Sequence, residues 1–75
     1  MILYSYLSPI GRMFICPNQH GRFDLVINNE FRSSYKNAMQ AADDVYCQAT
    51  GYYDWDTLEC YNIPTDISEW EIIKR

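Results

Sequence analysis

The chain has 75 residues, 48% of them hydrophobic and 16% aromatic, and its six Lys and Arg against ten Asp and Glu leave a net charge of -4. That length specifies one domain with a small core, and the apolar content excludes a disordered tail. The acidity argues against sequence-independent binding to phosphate backbones, and no run approaches the roughly 20 apolar residues a membrane-crossing helix needs.

Residues 1–11, Met-Ile-Leu-Tyr-Ser-Tyr-Leu-Ser-Pro-Ile-Gly, read as an arm or edge strand stopped by Pro9 and Gly11. The opening lacks the basic start and small-residue cleavage site of a secretory signal, so a cytoplasmic location without membrane contact is expected. Met13 to Cys16 is a candidate strand, and Pro17 to Gly21 marks a turn. Phe23 to Asn28 alternates Phe23, Leu25 and Ile27 with Asp24, Val26 and Asn28, the pattern of a half-buried strand. Asn28-Asn29 suits a turn with positive φ, which makes Glu30 to Tyr35 a third strand with Phe31, Ser33 and Tyr35 on one face and Arg32 on the other. Residues 12–35 thus form an antiparallel meander.

The one clear helical period follows, over residues 37–51. Ala38, Ala41, Ala42, Val45, Tyr46 and Ala49 share a face, Asn37 and Gln40 form a start signal, and Gly51 is the expected stop. The alanine-lined flank is expected to lie flat on Phe23, Leu25 and Ile27. Residues 52–75 then wrap the seam between helix and sheet. Within them, Asp54 is placed to cap a short helix from Trp55, and Cys60 to Ile63 is a connector or short strand. Asp66, with Glu69 three residues later, caps a turn of helix ahead of an extended or frayed end.

Charge is uneven along the chain. Residues 1–36 hold four bases against two acids, for +2, and residues 37–75 hold two bases against eight acids, for -6. Arg12, Arg22, Arg32 and Lys36 therefore make a candidate nucleic-acid surface on the sheet, with Tyr rings to stack on bases. The other candidate surface is the acidic aromatic stretch Tyr52, Tyr53, Asp54, Trp55 and Asp56, together with Trp70. Tyr and Trp join a large apolar area to a polar tip and are favoured as interface anchors, although a small domain also needs such rings for its core.

Three other chemistries find less support. Cys16, His20, Cys47 and Cys60 would supply a tetrahedral zinc site, but Cys47 and Cys60 do not form the close pair such sites use. Small apolar side chains and an exposed turn histidine are the simpler reading, and an odd cysteine count fits a reducing compartment. Asp43, Asp44, Asp54, Asp56 and Glu59 lack the spacing of a calcium loop and read as caps and solvated surface. With one histidine, no phosphate loop and little room for a pocket, no enzymatic activity, metal or cofactor is expected.

The ordered set Gly21-Arg-Phe-Asp-Leu-Val-Ile-Asn28, Ser34-Tyr35, Ala41-Ala-Asp-Asp-Val-Tyr46, Thr50-Gly51, Trp55-Asp56 and Pro64-x-Asp66-x-Ser-Glu-Trp70 resembles small uncharacterised bacterial domains in which a β-meander precedes one amphipathic helix. The resemblance spans roughly residues 13–71. It implies a bacterial, cytosolic α+β domain and brings no activity or catalytic residues with it. The expected architecture is α+β: a three-stranded antiparallel sheet, with an N-terminal strand as the fourth member if it pairs, packed on one main helix. The expected role is a non-enzymatic module that binds another protein through either the uncovered sheet face or the acidic aromatic stretch, with homodimerisation through exposed sheet edges or aromatic patches as one form of it, and nucleic-acid binding as the alternative.

Overall fold

A computed structural model describes residues 2–59 and 62–74. In chain order these form β1 (Ile2–Ser8), β2 (Gly11–Pro17), β3 (Phe23–Ile27), β4 (Glu30–Tyr35), α1 (Ala38–Tyr46) and α2 (Tyr53–Asp56). A 3-10 turn (Ile67–Glu69) and β5 (Glu71–Lys74) complete the chain. The five strands make one antiparallel sheet in the order β4-β3-β2-β1-β5. The architecture is α+β as expected, but the sheet has five strands rather than three or four. Among the described residues no helix is long and apolar enough to cross a membrane.

The two extra strands come from the ends of the chain. Pro9 and Gly11 do not stop an arm; they close a hairpin in which Ser8 faces Gly11 across a Pro9-Ile10 turn. The Ser8 hydroxyl donates to the Gly11 carbonyl at 2.5 Å and accepts from the Ile10 amide at 3.3 Å. β1 is accordingly an interior strand, with β2 on one side and β5 on the other. Of the extended or frayed end expected after the 3-10 turn, the extended form is found, as β5, paired Leu3 to Ile73 and Ser5 to Glu71.

The hairpin between β3 and β4 turns where the sequence places it, with Asn28 at φ 52° and Asn29 at φ 65°. β4 then departs from its expected faces. Leu25 pairs with Ser33 and Val26 with Phe31, so Arg32 is the extra residue of a bulge. An extra residue moves everything beyond it to the other side of the sheet. Phe31 therefore joins Val26 on one face, while Ser33 and Tyr35 stand with Leu25 and Phe23 on the other.

Helix α1 lies on that second face. Its N-cap is Asn37, whose side chain accepts from the Gln40 amide at 2.9 Å. Ala38, Ala41, Ala42 and Val45 are buried with Met13, Ile15, Leu25 and Ile27, which places the first part of the alanine flank on the sheet as expected. Tyr46 and Ala49, expected on the same face, are exposed because the helix ends at the first and before the second. The helix stops about four residues early. Cys47 is the C-cap and Gln48, at φ 54°, takes the left-handed position assigned to Gly51. The Gln48 amide donates to the Val45 carbonyl and the Ala49 amide to the Asp44 carbonyl, the paired bonds of a Schellman stop. The Gln48 side chain donates to the carbonyls of Trp55 at 2.8 Å and Leu58 at 2.6 Å, tying the helix end to the next segment.

Beyond the helix, Trp55 and Trp70 are buried in the core and Tyr52, Leu58, Ile63 and Ile67 pack against it, while β5 extends the sheet. α2 has Tyr52 at its N-cap without a side-chain bond, so Asp54 is not a cap; Asp56 instead reaches back from inside the turn. Asp66 does cap the 3-10 turn, accepting from the Ser68 amide at 2.9 Å. Glu69 accepts from the amide and hydroxyl of Thr65, and these bonds hold its carboxyl below the usual carboxylate range.

Candidate functional site

Three surfaces compete for a functional role, and the first is the acidic aromatic stretch. One helical turn directs Trp55 inward, where it is fully buried and donates its indole N–H to the Val45 carbonyl at 3.0 Å. Trp70 is 4% exposed, and the Tyr6 ring stands between the two, 6.1 Å from Trp55 and 5.5 Å from Trp70. Asp56 accepts from the Thr50 amide and hydroxyl and from the Gly51 amide, at 2.8–3.0 Å. Tyr52 is half-buried, and its hydroxyl oxygen accepts from Asn28 at 3.4 Å. Only Tyr53 and Asp54 project fully into solvent. The expectation of Trp55 and Trp70 as exposed anchors is therefore corrected: a core this small takes both indoles for itself.

The four basic residues do not gather. Arg12 projects from the sheet face opposite α1, donates to the Ser5 hydroxyl at 2.6 Å and lies 3.9 Å from the Glu71 carboxylate. Arg22 donates to the hydroxyl and carbonyl of Ser34 at 3.1 Å. Arg32 turns from its bulge over the Tyr52 ring, 5.2 Å from the centroid, with Glu30 at 3.8 Å. Lys36 is exposed beside Tyr35. These are separate positions rather than the single basic stripe a nucleic-acid surface requires.

The second surface is an open groove of about 880 Å³ between α1 and the 3-10 turn, lined by Tyr35, Met39, Asp43, Asp44, Asp66 and Ile67 among others. It is a shallow, open trough rather than a deep pocket. Tyr35 donates to Asp44 at 2.8 Å, and burial together with that carboxylate pushes its hydroxyl up to about 12. The phenol is thus held protonated, with no role as a base near neutrality. Among the described residues, neither His20, which stands in the exposed turn after β2, nor Cys16 or Cys47 lines the groove. Cys16 is half-buried on β2 and Cys47 is exposed at the helix end, and among the described residues no three His, Cys, Asp or Glu side chains gather as a metal site. Cys60, the third candidate thiolate, lies outside the described residues, as does part of the connector from Cys60 to Ile63.

The third surface is the sheet face that α1 leaves open. Register places Glu71, Ser5, Phe14, Val26 and Phe31 in one row across all five strands. Leu7 and Arg12 flank that row on one side; Ile73, Leu3, Cys16 and Asp24 flank it on the other. Phe31 is 60% exposed and Leu7 66%, while Phe14, Val26 and Ile73 are half-buried. Leu3 is buried yet lies outside the cluster beneath the helix. This is a second apolar layer without a second layer of structure over it. The sequence pointed to an uncovered sheet face but not to these residues, because the bulge at Arg32, which brings Phe31 into the row, leaves no signal in the alternation.

Comparisons with protein families, curated proteins and solved structures return no match to this chain.

Proposed function

We propose that the chain is a non-enzymatic protein-interaction module of the cytoplasm, and that it binds through the open face of its sheet. The observation that carries this reading is the row Phe14, Val26 and Phe31 with Leu7 beside it, apolar side chains left in contact with water on the face of the sheet that α1 does not cover. Contiguous exposed apolar area of this kind marks interaction sites more often than it marks idle surface. The indoles are spent in the core, so the binding energy has to come from Phe and Leu on the sheet rather than from Trp on the C-terminal segment.

The test uses the purified chain on a resin and a double variant, Leu7→Ser with Phe31→Ser, whose thermal melting is checked against the parent. Proteins retained by the parent and lost by the variant support the reading. Equal retention by both would show that binding, where it occurs, uses another surface.

A further inference from the structure

The open face is self-complementary, and we propose that its partner is a second copy of this chain, packed face to face about a two-fold axis that runs along the row of Phe14, Val26 and Phe31. This rests on the reading of that face as an interaction surface and names its occupant.

The register dictates the match. A two-fold axis lying along the row, across the strands, sets each residue of the row against its own copy, so Phe31 meets Phe31 and Phe14 meets Phe14. The same rotation exchanges the two flanking rows. Leu7, the most exposed apolar side chain of the face, then covers Leu3 of the second copy, on the same strand but on the other side of the row. Arg12 comes over Cys16 of the second copy, one strand away from Asp24, and the relative rotation of two twisted sheets spans such an offset. Each interface thus gains two Arg12 to Asp24 pairs. An axis along the strands would instead keep Arg12 on its own side of the row and set the two guanidiniums near each other on the central strand, whereas the axis along the row opposes only the Glu71 carboxylates, on the solvent-exposed edge strand where repulsion is screened.

Size agrees with a modest association. Five strands spaced about 4.8 Å apart and about six residues long present a face about 20 Å square. Two such faces bury about 800 Å² together, below the range of stable specific interfaces, which calls for a weak, reversible dimer rather than an obligate one.

Sedimentation equilibrium of the whole chain tests this, with circular dichroism melts as the folding control. The parent is expected to show a monomer-dimer equilibrium, and Phe31→Glu is expected to be monomeric. Arg12→Glu and Asp24→Arg each place like charges across both pairs and are expected to weaken the dimer at least about tenfold. Mixed together, those two variants satisfy both pairs in a heterodimer, and association is expected to return. A parent that stays monomeric over the accessible range, or single variants that dimerise as the parent does, would overturn the proposal. A monomeric parent that still loses retained proteins in the Leu7 and Phe31 variant would remove the second copy as partner while leaving the open face as the binding surface.

Discussion

Trp55 carries two jobs at once, filling the space under the helix end and donating to the Val45 carbonyl. Trp55→Phe keeps a ring but removes one donor from a carbonyl that still accepts from the Gln48 amide, and we expect a loss of about 1 kcal/mol in a denaturant melt. With Trp55 and Trp70 both buried, the parent's tryptophan emission should be blue-shifted and should resist quenching by iodide. Tyr35 gives a pH signature. Its folded pKa is raised from 10.0 to about 12, so the stability it contributes is fully present below pH 10 and is lost as pH rises from there through about 12. Tyr35→Phe should remove that part of the alkaline dependence. At Gly11, φ is +131° and an added Cβ would fall 1.8 Å from the Asn28 side chain, which donates to the Ile10 carbonyl. Gly11→Ala should therefore lower the melting temperature through backbone strain and displacement of Asn28 together.

Elements follow from local pattern until a side chain from elsewhere intervenes. The strand Phe23–Ile27, the Asn28-Asn29 turn and the start of α1 were legible, because alternation, positive-φ residues and an Asn cap act within a few residues of themselves. The helix stop was not, since Gln48 is held in the left-handed region by bonds to Trp55 and Leu58 seven and ten residues away. Gln48→Ala loses both bonds without easing the backbone, and we expect it to destabilise by about 1–3 kcal/mol, whereas Gln48→Gly recovers part of that loss. The bulge at Arg32 escaped for the same reason. Its register is set by Leu25 and Val26 on the next strand, and by the Tyr52 ring on which the guanidinium rests.

For the whole molecule, the decisive placement is that of the two chain ends beside each other, β5 against β1, which widens the sheet beyond what one nine-residue helix can cover. α2, the 3-10 turn and both indoles finish the covered side, and the other side is left with its own apolar row. No single segment of the sequence announces that outcome, because the row takes one residue from each of five strands. Site-specific photo-crosslinking in cells tests it most directly, with a benzophenone amino acid placed at Phe31 on the open face, at Met39 on the helix flank, or at Tyr53 on α2. The account predicts a defined protein adduct, with a second copy or another chain, from position 31 and none from positions 39 or 53. Adducts from 39 or 53 with none from 31 would contradict it.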